Sequence, residues 1–179
     1  MLHRNYKLLA PLAALLLTLL VSGPSTYGQT LQIDSSTANW IEGFADFVRW
    51  QDEENYERIT IGVIGAPEVA NYLARRAQTR SSKPRIQVLE LTHRDSFEGL
   101  DIVYVGGGNR KHWKEILEKC VRHRILSISS RDGFVEAGGC VEFVVRRNRL
   151  RFYIANENTK ACGVVISSKL LELALEPNK

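Results

Sequence analysis

Residues 131–174 read RDGFVEAGGCVEFVVRRNRLRFYIANENTKACGVVISSKLLELA. Gly133 and the pair Gly138-Gly139 mark a turn. Residues 140–146 and 149–155 are apolar-rich runs separated only by Arg147-Asn148, a tight polar turn, which predicts an antiparallel hairpin. In the second run Leu150, Phe152 and Ile154 share one face, and Arg149, Arg151 and Tyr153 share the other. Residues 163–175 predict a closing helix with Val165, Ile166, Leu170, Leu171 and Ala174 turned mostly inward. The stretch supplies no catalytic set, so it points to a binding or regulatory module rather than an enzyme.

Upstream, helices and short strands alternate. Residues 30–50 predict a helix, strongest from Ala38 to Trp50, with Ala38, Ile41, Ala45 and Val48 at three- and four-residue steps. The run RITIGVIG, residues 58–65, has the look of a buried strand ended by glycine. Pro67 can open the next helix, whose apolar face is Val69, Ala70, Leu73 and Ala77. Residues 85–91 alternate, with Ile86, Val88 and Leu89 or Leu91 inward, and residues 101–105 form another apolar run. Gly106, Gly107 and Gly108 break it. Asn109 can cap a helix through Val121 with Trp113, Ile116, Leu117 and Cys120 or Val121 on its core face. Residues 124–129 are a further strand. This order predicts an α/β fold: a mostly parallel, helix-flanked sheet with a C-terminal antiparallel hairpin and a closing helix.

The chain has 179 residues and a formal charge of +4. His3, Arg4 and Lys7 precede an almost wholly apolar run from Leu8 to Val21, and small residues follow to Gly28. That is the layout of a secretory signal peptide over residues 1–28, with an apolar run too short for the roughly 20 residues of a membrane span. Removal of Arg4 and Lys7 leaves about +2. The rest, residues 29–179, reads as one domain. Export and the modest charge argue against nucleic acid as a partner.

Candidate sites follow from residue types. The turn Gly107-Gly108-Asn109 lies between a strand and a helix, where backbone N–H groups can hold an anion, although it matches neither a P-loop nor GxGxxG. Otherwise it is a plain turn. Arg146, Arg147, Arg149 and Arg151 cluster about the hairpin tip and suit carboxylates or phosphates on a partner or ligand; equally, they keep an edge hairpin soluble. Trp40 and Phe44 belong to an aromatic-rich first helix that either packs the core or meets a second protomer or partner. His112, Cys120 and His123 lack the spacing of a known metal site, and His93 reads as a surface-loop residue, so neither metal nor cofactor is expected. The serines lack a nucleophile elbow.

Several of these residues together resemble the YfiR-like family of small periplasmic regulators. Asp132-Gly133-Phe134, Gly138-Gly139 and residues 141–143 resemble its "GF…GG" turn and strand, and residues 149–154 its second hairpin strand. Gly163 with residues 166–171 resembles its last helix. Ala45, Phe47, Val48 and Trp50 resemble its "FVxW" helix end, and residues 61–65 sit at its first strand. The chain departs from the pattern in lacking a Lys near Thr37, a Pro after Trp50 and a Cys-His pair before Ile102. It has Ala155 where Asn is usual and Cys162 where Ala is common. The resemblance implies a periplasmic inhibitor of an inner-membrane diguanylate cyclase. It would be relieved by envelope or redox stress or by an outer-membrane lipoprotein, and so control cyclic di-GMP and biofilm growth. Relatives beside sensor kinases make a ligand-sensing module the alternative. A homodimer is a further expectation.

Three cysteines remain. In a hairpin turning at Arg147-Asn148, Cys140 lies opposite about Asn156, and Cys162 follows where the chain folds back. A Cys140–Cys162 disulfide would contribute about 3 kcal/mol if unstrained. Pairing of Cys120 with either partner, an intermolecular bridge or three free thiols are the other possibilities.

Overall fold

The computed structural model describes residues 26–50, 57–81, 83–107 and 110–176. The greater part of the expected signal peptide and the residues Gly108 and Asn109 lie outside them. Among the described residues no helix is long and apolar enough to cross a membrane.

Helix α1 (Thr26–Phe47) runs into strand β1 (Val48–Trp50). Then come β2 (Arg58–Ile64), α2 (Pro67–Thr79), β3 (Arg85–Leu91) and β4 (Ile102–Val105). A single 3-10 turn, Arg110–His112, leads into α3 (Trp113–Arg122), followed by β5 (Leu126–Ser129) and the hairpin β6 (Val141–Arg146) and β7 (Arg149–Ile154). The chain closes with α4 (Asn156–Ala161), β8 (Val164–Ile166) and α5 (Ser168–Leu171). The six-stranded sheet has the order β3-β2-β4-β5-β6-β7, parallel from β3 through β6, with only β7 antiparallel. The fold class expected from the sequence is the one found.

The central strands are apolar on both faces because both faces are covered. Every residue of β4 and β5 is buried, as is β2 after Arg58. On one face α1, α2 and the C-terminal segment pack with Ile59, Ile61, Val63, Ile102, Tyr104, Leu126 and Ile128. On the other, α3 delivers Trp113, Ile116, Leu117 and Cys120 onto Val103, Val105 and Ile125, with Phe97 and Phe134 closing the edges. Leu91 packs inward while Leu89 is exposed, and Cys120 is buried while Val121 is exposed. Ion pairs from Glu42 and Asp46 of α1 to Arg76 and Arg80 fasten α1 to α2.

The hairpin turn follows its residue types. Arg147 and Asn148 have φ of 49° and 59°, the left-handed pair of a two-residue turn that matches strand twist. The preceding turn is held from inside the sheet: a carboxylate oxygen of buried Glu142 accepts from the backbone N–H of Phe134 at 2.7 Å and of Val135 at 3.2 Å.

Two expectations fail, and for one reason. Residues 48–50 do not continue the first helix, and residues 163–175 are not one helix. Instead β1 and β8 pair antiparallel, Val48 opposite Ile166 and Trp50 opposite Val164. Val48 is fully buried, as a helical repeat requires, so the spacing could not separate the two states; the strand partner decides. In β8, Val164 is buried and Val165 exposed, a period of two. An unexpected short helix, α4, precedes it and ends at Gly163, whose φ of 64° suits a helix C-terminus. Ser167 caps α5, its hydroxyl accepting from the Leu170 N–H.

Candidate functional site

Strand alternation fixes where the arginines go. Cross-strand partners Glu142 and Tyr153, Val144 and Arg151, and Arg146 and Arg149 lie on the α3 side of the sheet. Helix α3 covers β4 and β5 but not the outer part of the hairpin. Arg146, Arg149 and Arg151 therefore stand on an open sheet face, with Arg146 donating to the Tyr153 hydroxyl at 3.3 Å and Arg147 exposed at the turn. The one acid in these two strands, Glu142, is buried and committed to the turn amides. The result is a cationic surface on which Arg146, Arg147 and Arg149 are exposed and Arg151 is half-buried.

A groove of about 770 Å³ lies between α3, the turn at Gly133–Gly138 and α4. Leu117, Val121, Ala137 and Ala161 line its apolar part, and Arg110, Lys114 and Arg122 bring positive charge, against Glu118. Trp113 also lines it; its indole Nε1 is the one buried side-chain polar atom among the described residues without a hydrogen-bond partner.

A second concavity of about 320 Å³ sits where β2 and β4 end, bounded by Asp34, Gly65, Glu68, Tyr104, Gly106, Ser130 and Arg131. The chain runs outward from β2 to β3 and then crosses back to β4, so this is the switch point of the parallel sheet, a common ligand crevice. Burial, then the charge of Glu68, raises the Asp34 carboxyl above its ordinary pKa. Burial likewise raises the Tyr104 phenol, whose oxygen lies 2.7 Å from the Ser130 hydroxyl.

The expected anion turn is not supported where it is described. Gly106 and Gly107 both donate to the Ile64 carbonyl, at 3.0 and 3.4 Å. The following helix proper starts at Trp113, with His112 at its cap, and the expected cap Asn109 lies outside the described residues. Gly107 is glycine because two loops cross there: an added Cβ would lie 2.5 Å from the Gly65 carbonyl oxygen. Phe44 is likewise no partner surface. It is fully buried against Phe143 and Phe152, while half-buried Trp40 packs edge-on to Phe152 at 4.9 Å.

Cys140 and Cys162 are brought together as free, buried thiols with their sulfurs 3.6 Å apart, well beyond the roughly 2.05 Å of a disulfide. The Cys162 contact, assisted by Ser127, holds the Cys140 thiol below the usual range, and the same contact together with burial raises Cys162. Cys120 is buried and raised by desolvation. It lies in the α3 core, so His112, Cys120 and His123 form no cluster; His112 instead stacks on His93, ring centroids 3.8 Å apart. Sequence reasoning missed this pair and the switch-point crevice, since both depend on strand order rather than spacing.

The chain belongs to the YfiR/HmsC-like family, whose model matches residues 34–175. Membership points to a periplasmic regulator of diguanylate cyclase signalling. No curated protein sequence matches the chain. Among solved structures it is similar to a conserved domain protein from Vibrio cholerae O1 biovar El Tor, at 14% identity and a TM-score of 0.53, covering 79% of this chain and 58% of that one. It is also similar to the ABC domain from Streptococcus pneumonia in complex with L-Trp, at 12% identity and a TM-score of 0.51, covering 79% and 59%. The chain thus spans less than two thirds of either neighbour, and at these identities the likeness concerns the α/β fold.

Proposed function

We propose that this protein is exported with residues 1–28 removed, binds the periplasmic part of an inner-membrane diguanylate cyclase and holds it inactive. The family match over residues 34–175 carries the reading. The open cationic face of Arg146, Arg149 and Arg151 supports it, because guanidinium groups pair well with carboxylates on an acidic partner. Relief comes from a competing protein, such as an outer-membrane lipoprotein, or from oxidation of the Cys140–Cys162 pair to a disulfide by a periplasmic thiol oxidant. The test is co-elution of the purified protein with the periplasmic fragment of a cyclase encoded beside it, together with cyclic di-GMP levels in cells lacking the protein. Co-elution and a rise in cyclic di-GMP are expected; an absence of both would overturn the reading.

The switch-point crevice favours a second role, a small-ligand module working with a sensor kinase, since Arg131, Ser130 and Tyr104 offer polar contacts at a position where parallel sheets bind ligands. A melting-temperature rise with small polar metabolites is its expected signature, since Asp34 and Glu68 face the cation Arg131 there. A flat response across a broad panel would count against it.

A further inference from the structure

We propose that His93, His112 and Glu115 form a binding site for one transition-metal dication, with Zn²⁺ the best match, independent of how the protein engages a cyclase. One donor atom from each of the three side chains lies within 4.8 Å of the other two. The set joins two elements. His112 and Glu115 are three residues apart at the start of α3, and so project from one face of the helix. His93 comes from the loop after β3.

The second shell holds this loop in place. Asp95 accepts from the Thr92 N–H at 2.6 Å and from its hydroxyl at 2.8 Å, making a tight turn with His93 inside it. The Lys119 ammonium reaches across from α3 and donates to the backbone carbonyls of His93, at 2.5 Å, and Asp95, at 3.3 Å. These contacts fix the backbone that carries His93 and leave its imidazole free to turn. Lys119 also pairs with Glu115 at 3.1 Å and lies over the Phe97 ring at 5.1 Å. With these other contacts it keeps its position when Glu115 turns to an ion.

The two imidazole rings are stacked with their planes inclined by only 21°, so their in-plane lone pairs do not converge on one point as the rings stand. Both rings are half-buried, and side-chain rotation must bring one nitrogen of each to about 2.0–2.1 Å from a shared ion. Two imidazoles and one carboxylate leave a fourth, solvent-filled position on a tetrahedral Zn²⁺. Donor chemistry selects the class of metal. Imidazole suits Zn²⁺, Cu²⁺ and Ni²⁺, whereas Ca²⁺ and Mg²⁺ need several oxygen ligands.

The test is calorimetric titration of the untagged protein with ZnCl₂. One equivalent of heat is expected, with no response to Ca²⁺ or Mg²⁺. His93→Ala and His112→Ala should each weaken binding about tenfold or more, Glu115→Gln less, and His123→Ala, at the far end of α3, not at all. Should a variant fail to fold, electron paramagnetic resonance of the Cu²⁺-loaded native protein should show two nitrogen ligands. No binding at about 100 µM Zn²⁺ would overturn the site. So would binding unchanged in both histidine variants, or binding lost with Cys140→Ser rather than with them.

Discussion

The two faces of the six-stranded sheet are filled differently. On one, α1, α2 and the C-terminal segment form a continuous core that runs from β3 to β7, with Phe44, Phe143 and Phe152 under the hairpin. On the other, α3 is the only long helix among the described residues, and its cluster stops at Phe134. Beyond it the hairpin shows Arg146, Arg149, Arg151 and Tyr153. One hairpin therefore differs at alternate residues: Phe152 and Ile154 are buried in the core, while Arg149, Arg151 and Tyr153 stand on the sparsely covered face.

Substitutions on the two faces of β7 should therefore act differently. Phe152→Ala removes the ring that meets Trp40, Phe44 and Phe143, and should cost about 3–5 kcal/mol in urea unfolding. The paired change Arg149→Glu with Arg151→Glu should shift stability by about 0.5 kcal/mol or less. It should weaken cyclase binding about tenfold or more and reduce its salt dependence. If the arginine variant instead unfolds like Phe152→Ala, the division between faces is wrong.

Glu142 lies on the sparsely covered side yet is buried, and it sharpens the contrast. Glu142→Ala strands two amide donors of the 131–138 turn and should cost about 2–3 kcal/mol. Thermal unfolding will read it; no loss would mean that the turn is held by Phe134 packing alone.

How much of this was legible in advance varies by element. The strands at 58–64, 102–105 and 126–129 and the hairpin were readable because short apolar runs and an Arg-Asn turn have local signatures. The β1–β8 pairing was not, because Val48 satisfies a helical repeat and a strand equally and its partner lies more than a hundred residues away. For the candidate sites, the arginine face followed from strand alternation, and the Cys140–Cys162 proximity from the position of the hairpin turn. The His93–His112 contact and the crevice at Asp34 and Arg131 depend on strand order, which no local pattern encodes.

The thiol pair belongs to the well-filled face and asks whether that face is also switchable. Oxidation of the free thiols Cys140 and Cys162 closes a long loop and should raise stability by about 3 kcal/mol. Melting with and without reductant measures this, and peptide mapping under non-reducing conditions identifies the pair. A linked peptide containing Cys120 would assign the bridge elsewhere.

The smallest effect tests whether the filled face is free of strain. Asp34 of α1 is raised by burial and by Glu68. A carboxyl whose folded pKa exceeds its unfolded value binds its proton more tightly in the native state. Its contribution to stability is therefore fully present below the unfolded value of 3.8 and is lost as pH rises through the folded value. Asp95 has the opposite sense. Hydrogen bonds from Thr92 lower it, so its contribution is present above its unfolded value and is lost as pH falls through the folded one. Asp34→Asn should thus leave melting unchanged near pH 3 and raise it by about 1 °C at pH 7. An equal shift at both pH values would mean that the gain comes from packing or helix propensity, not from relief of a desolvated charge.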